Sequence, residues 1–326
     1  LLIAPYTKDF GLIEYLTENG ASLEDKDDAG NGIFEYASKG GNISFLNILL
    51  KKGVEIGNNS IIFASQGLRR RKNTLDTYKS LENLGVKLNV VDNKGRNPLH
   101  AIAYSQKEND LYTYFIKKGV DANLQDNNGI SPFMNAANSN SLEVLKLLSA
   151  SVKDINLKDK KGRSALAMAV NRNSVDVIEF LLEKGADIHI TDLDKNTLSY
   201  YLINNFSSKE PKGFENKLKL LEKNGLIINQ VQSSGNTLLH IATERNNLDL
   251  LKRLASFNMA VNIKNNEGIT ALQIGAMKAK DTKILQYLMH IGADKNVKTT
   301  FNETVYELAS ENEILKNKNI NITFLK

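Results

Sequence analysis

Apolar residues recur at helical spacing in short runs that are broken at regular intervals. Ile43, Leu46, Leu49 and Leu50 share one face of a helix, and so do Val175, Ile178, Leu181 and Leu182. These runs end on charge followed by Gly, as in Lys51-Lys52-Gly53 and Glu183-Lys184-Gly185, where Gly supplies the left-handed residue past a helix end. A second class of helix opens on a capping side chain: Asn97-Pro98-Leu99-His100, Ser131-Pro132, Ser164-Ala165-Leu166 and Thr237-Leu238-Leu239-His240. Small residues follow (Ala136-Ala137, Ala167, Ala169, Gly275-Ala276) and allow close helix approach. Gly41, Asn140, Asn173 and Asn246 lie between the two helix classes and predict a corner in the left-handed conformation.

The two-helix pattern is periodic. The pairs Leu23-Glu24, Ile56-Gly57, Leu88-Asn89, Ala122-Asn123, Ile155-Asn156, Ile188-His189, Ile228-Asn229, Val261-Asn262 and Lys295-Asn296 follow one another at 32–34 residues, with one step of 40. Such a period marks a repeat architecture. A turn signal, Asp-x-x-Gly, precedes the capped helix at Asp27–Gly30, Asp92–Gly95, Asp126–Gly129 and Asp159–Gly162. Asp at the first position and Gly at the fourth suit a type I turn.

This pattern, a turn followed by a T-P-L-H-like helix start and a closing L-L-x-x-G-A-D-I-N, resembles the ankyrin repeat. Asn97-Pro98-Leu99-His100 and Thr237-Leu238-Leu239-His240 come near the family's T-P-L-H element, and Gly185-Ala186-Asp187-Ile188-His189 its closing segment. The resemblance implies an all-α solenoid of stacked helix-turn-helix units with β-hairpin-like connecting turns. No single unit can bury its own apolar face, so stacking builds the core. One array over 1–326 is expected: a truncated leading repeat (1–24), repeats 25–57, 58–89, 90–123, 124–156, 157–189, 190–229, 230–262 and 263–296, and a C-terminal cap and tail (297–326). Leu1 to Pro5 read as the tail of an inner helix, so residues upstream are expected to be missing.

Three departures stand out. Repeat 58–89 lacks the Asp-x-x-Gly turn and carries Arg69-Arg70-Arg71-Lys72; repeat 190–229 has Lys195 in place of the turn Gly and gains residues, expected as a loop over Phe206–Phe214. In the tail, Ile320-Asn321-Ile322-Thr323-Phe324-Leu325 alternates like a short strand.

Composition narrows the function. With 41% hydrophobic and 24% charged residues the chain reads as folded, and a net charge of +5 over 326 residues is no nucleic-acid footprint. No apolar run is long enough to span a bilayer. The absence of Cys excludes disulfides, thiolate metal sites and Cys nucleophiles, and tilts the expectation toward an exported or periplasmic setting. The Lys-, Asn- and Ile-rich wording is similar to that of exported ankyrin proteins of Bacteroidota-type bacteria. His100, His189, His240 and His290 have no metal-ligand spacing; the resemblance assigns structural hydrogen bonds to His100 and His240. The acidic stretches at Glu24–Asp28 and Asp192–Asp194 fail the calcium-loop pattern, and no nucleophile elbow, P-loop or dinucleotide fingerprint occurs.

The expectation is therefore a non-enzymatic scaffold that takes no metal, cofactor or small-molecule substrate and neither binds nucleic acid nor enters a membrane. A bacterial-envelope accessory factor, supporting a redox or other enzyme, is the alternative. The resemblance puts the binding surface on the concave face, at turn tips and inner helices. Its candidates are Lys94, Arg96, Asn127, Asn128, Ile130, Lys160, Lys161, Arg163, Glu267 and Ile269 at tips, with Asn135, Met168, Arg172, Ile241 and Met277 on inner helices. The basic tips are expected to form one stripe that steers an acidic protein partner, with Ile130 and Met168 as apolar anchors.

Overall fold

A short apolar face cannot hold a helix of two turns by itself, so helices here come in pairs that cover one another. The structure, a computed structural model, describes residues 1–326 apart from 3, 4, 6–9, 69, 70, 106 and 140. After α1 (Phe10–Glu18), an inner and an outer helix alternate. The pairs are α2 (Ile33–Gly40) and α3 (Ile43–Lys51), α4 (Ser60–Gln66) and α5 (Leu75–Asn83), α6 (Pro98–Ser105) and α7 (Asn109–Lys117), and α8 (Pro132–Ser139) and α9 (Leu142–Ser149). They continue as α10 (Ala165–Arg172) and α11 (Val175–Glu183), α12 (Leu198–Asn204) and α13 (Pro211–Lys223), and α14 (Leu238–Glu244) and α15 (Leu248–Ala255). The last are α16 (Ala271–Lys278) with α17 (Lys283–His290), and α18 (Val305–Glu311) with α19 (Glu313–Asn317).

Contacts gather the chain into two compact units: Leu1–Lys160 with Ser164–Ala169 and Glu183–Gly185, and Lys161–Arg163 with Val170–Leu182 and Ala186–Lys326. In the first, inner helices α2, α4, α6 and α8 pack in chain order, as do outer helices α3, α5, α7 and α9. In the second, α12, α14, α16 and α18 form the inner row and α15 packs on α17. Each unit is thus a stacked, all-helical solenoid. Outer helices bury spaced apolar sets, such as Leu111, Tyr112 and Phe115 in α7 or Leu250, Leu251 and Leu254 in α15. Two core tyrosines satisfy their hydroxyls on inner-helix carbonyls: Tyr78 donates to Ala64 O at 3.1 Å and Tyr112 to Ile102 O at 2.8 Å.

The connecting turns project as fingers. In the fingers that start at Asp27, Asp92, Asp126, Asp192, Gln232, Asn265 and Thr299, the fourth residue donates back to the first carbonyl, as Gly129 N–H does to Asp126 O at 2.8 Å, and the first residue's N–H reaches the fifth carbonyl, as Asp126 does to Ile130 O at 2.9 Å. The Asp126 carboxylate also takes the N–H groups of Asn128 and Ile130 at 2.8 and 2.9 Å. Gly129 is required twice over, since its φ is 78° and a Cβ there would stand 2.7 Å from the Lys160 nitrogen. Lys195 takes the same left-handed conformation, φ 58°, without being Gly, and still donates to Asp192 O at 3.0 Å.

Several expectations are corrected locally. Gly41 and Asn246 turn their corners with φ of 65° and 50°, but Asn173 is not left-handed; its carboxamide instead accepts from Ser174 N–H at 2.8 Å. Asn140 lies outside the described residues, as do Arg69 and Arg70 and, within Leu1–Pro5, Ile3 and Ala4. The residues added in repeat 190–229 lengthen α13 to 13 residues, with Pro211 at its start, and do not form one loop through Phe214. Phe206 closes onto Phe214, ring centroids 5.2 Å apart. The alternating tail makes no strand: Thr323–Leu325 is a 3-10 turn that packs on α18 and buries Leu325.

Candidate functional site

Main-chain hydrogen bonds tie successive fingers together. Asn127 N–H donates to Lys94 O at 2.8 Å and Lys160 N–H to Asn128 O at 2.9 Å in the first unit; Leu193 N–H to Lys161 O and Asn266 N–H to Ser234 O, both at 3.0 Å, in the second. The rung is absent between Asp194 and Ser233, after the Lys195 turn, and between Glu267 and Thr300, at the last repeat. At Asn127 and Asn266 the carboxamide adds a second bond to the preceding finger, on Asn93 O at 3.0 Å and Ser233 O at 3.1 Å.

A second joint lies at the inner-helix starts. Asn97 N–H donates to His100 Nδ1 at 3.1 Å, which leaves Nε2–H to donate to Ile130 O at 3.0 Å in the next repeat. His240 repeats this, accepting from Thr237 N–H at 3.1 Å and donating to Ile269 O at 3.0 Å. Gln273 does the same with an amide, to Thr270 N–H and Val297 O, both at 2.9 Å. Burial holds both imidazoles below their ordinary pKa, so the neutral form fits. In α2 the slot holds Glu35, which accepts from Gly32 N–H at 3.0 Å. Burial pushes its pKa up, although N–H groups including that of Asn59 favour its charge.

The expected contact residues divide by exposure. Lys94, Asn127, Asn128, Lys160, Lys161, Arg172 and Glu267 are exposed. Arg163 is half-buried, and Arg96 is engaged by Asp92, its Nη2 2.7 Å from the carboxylate. Met168 and Ile241 are core residues, 7% and 9% exposed, because inner helices bury those faces against their neighbours; neither offers an anchor. Asn135 spends its amide on His100 O at 3.0 Å. Ile130 and Ile269 are half-buried, and their carbonyls receive the His bonds. Met277 is 37% exposed.

Side chains that the sequence reading passed over complete the picture. Tyr104, at the end of α6, is 49% exposed and lines a cleft of about 390 Å³ with Ile62, Gln66, Lys72, Arg96 and Ala101. In the second unit Leu193 stands at a finger tip with 74% exposure. There too, Arg172, Ser174, Asn205, Ser207, Glu210 and Lys217 edge a cleft of about 510 Å³, and burial lowers the pKa of Lys217. Nothing in one repeat's sequence distinguishes a tip side chain that points out from one that folds back. Among the described residues, no helix is long and apolar enough to cross a membrane, and no three His, Asp or Glu side chains gather as metal ligands.

Comparisons with known proteins agree with this geometry. A family model described as ankyrin repeats (3 copies) matches residues 61–159, 99–192 and 209–299, together more than half of the chain. Over 80 residues the chain is 38% identical to the ankyrin repeat protein L271 of Acanthamoeba polyphaga mimivirus, a stretch covering 24% of this chain and 11% of that one. Among solved structures, the human ASB11 ankyrin repeat domain superposes with a TM-score of 0.55 at 21% identity, over 68% of this chain and 96% of that domain. That likeness concerns the fold alone. Ankyrin repeats generally mediate protein–protein interaction, and proteins built from them are typically non-enzymatic scaffolds. With its helix pairs, finger turns and matching family model, the chain belongs to the ankyrin repeat family.

Proposed function

We propose that this chain is a non-enzymatic scaffold that binds a partner protein along its finger tips and inner-helix ends. The observation that supports the reading is the rung pattern: Asn127 and Lys160 fix their backbones on the preceding finger, while the side chains of Lys94, Asn127, Asn128 and Lys160 stay exposed. A surface whose backbone is already ordered loses little entropy on binding, so more of the contact energy appears as affinity. In the first unit Lys94 and Lys160 supply positive charge and Tyr104 supplies an aromatic surface beside a cleft. This combination suits an acidic partner with one buried anchor. In the second unit Leu193 and Met277 are the exposed apolar candidates, with Lys161, Arg172 and Glu267 as charged neighbours.

The test is a paired charge reversal within the first unit. Lys94→Glu with Lys160→Glu should weaken the natural partner, mainly through the association rate, by about 1 kcal/mol or less per charge. Lys51→Glu with Lys52→Glu, at the exposed end of α3, should leave binding unchanged. The reverse outcome in a binding-kinetics measurement overturns the assignment of the face. Tyr104→Ala should act on the dissociation rate instead.

A further inference from the structure

We propose that the finger missing from repeat 58–89 leaves a docking slot for an extended, lysine- or arginine-bearing peptide segment of a partner protein. Here Gly57-Asn58-Asn59 leads straight into α4, so no turn projects between the fingers at Asp27–Asn31 and Asp92–Arg96. In the neighbouring repeats the rung runs from the N–H of a finger's second residue to the C=O of the preceding finger's third residue. The groups in those registers beside the gap are the Ala29 carbonyl and the Asn93 N–H, and neither makes a main-chain hydrogen bond among the described residues. One rung is open on each side.

Space lies beside the open rung at Ala29. A cleft of about 620 Å³ lies between the first finger and the loop that replaces the second, lined by Ala29 and Gly30 on one wall and Gly53 to Asn59 on the other. Its size is that of a ligand cleft. An extended backbone is the occupant that can supply an N–H to Ala29 and a C=O to Asn93, as strand addition does at a sheet edge. Charge selects the side chains: Glu24, Glu35 and Glu55 line the cleft against one cation, Lys26. Glu35 is buried with the Gly57 backbone against its carboxylate, so the charges exposed to an occupant are those of Glu24 and Glu55. The joint changes polarity here as well. His100, His240 and Gln273 donate to the next repeat's carbonyl, whereas a carboxylate at position 35 can only accept.

The slot uses residues other than the tip side chains proposed above, so the two readings fail separately. The test measures fluorescence anisotropy of the full chain with a labelled, end-blocked octapeptide of alternating lysine and threonine. It should bind, its glutamate counterpart should not, and N-methylation of alternate amides should weaken it about tenfold or more by removing main-chain donors. Glu24→Lys with Glu55→Lys, both at exposed positions, should weaken it about tenfold. Grafting the finger of residues 125–130 between Gly57 and Asn58 should abolish binding by filling the slot. The proposal is overturned if the lysine peptide fails to bind at about 1 mM, if the glutamate peptide binds equally, or if N-methylation or the Glu24 and Glu55 reversal has no effect. A well-folded graft that still binds would overturn it as well.

Discussion

The fourth residue of each inner-helix start decides how one repeat is tied to the next. His100 and His240 do this with a neutral ring that accepts at Nδ1 and donates at Nε2; a proton on Nδ1 costs the bond from the Asn97 or Thr237 N–H, while Nε2–H still reaches the next repeat. Their folded-state pKa lies below the ordinary 6.5. The unfolded chain therefore binds more protons in the window beneath 6.5, and the stability they contribute is complete above it and lost as pH falls through it. His240→Gln should keep both bonds, as Gln273 does, and flatten that slope in urea melts between pH 8 and 5. His240→Ala should cost about 1–3 kcal/mol at pH 8 by leaving Ile269 O and Thr237 N–H unpaired. Glu35 has the opposite sign. Its folded pKa is raised above 4.5, so its contribution falls as pH rises through that window. Glu35→Gln should then raise the melting temperature at pH 7 and have little effect near pH 4. The two His roles were legible through the T-P-L-H resemblance, but the Glu35 role was not, because Gly32-Ile33-Phe34-Glu35 matches that motif only in register.

At the level of the element, a repeat is legible where its grammar is kept and hard to read where one element substitutes for another. Helix pairs follow from apolar spacing and Gly breaks, which act locally. In sequence the extra turn of α13 resembles a loop, because Pro211 and Gly213 sit in it. Pro is at home in a helix's first turn, and Phe214, Leu218 and Leu221 continue the buried face. The tail's alternation misled for another reason: a strand needs a partner edge, and among the described residues none is offered there. Lys195 shows how far a turn tolerates the wrong residue. Holding φ at 58° strains a side chain with a Cβ, so Lys195→Gly should stabilise the protein by about 1 kcal/mol in equilibrium unfolding. The same substitution's gain is reduced by the entropy that Gly adds to the unfolded chain.

For the molecule as a whole, stability is a sum over neighbours, and two compact units share the chain. Leu181 is fully buried in the second of them, and Leu181→Ala should cost about 2–5 kcal/mol through lost transfer energy and a cavity. Native-state hydrogen exchange should report the loss first in α11, before the best-protected helices open. Exposed residues of the proposed contact surface were the least legible: Met168 and Ile241 fit the expected register but are buried, whereas the exposure of Tyr104 and Leu193 emerged only from the folded arrangement. Exposure depends on what the next repeat covers, which no single repeat encodes. The joints made by His100, His240 and Gln273 all end on a main-chain carbonyl of the following repeat. Every residue carries that acceptor whatever its side chain. Each joint is therefore blind to the identity of its neighbour, and a duplicated or deleted repeat inherits a working connection at once. Copy number can drift through unequal recombination without any compensating mutation at these polar seams, and only the apolar layers between helices must be re-matched.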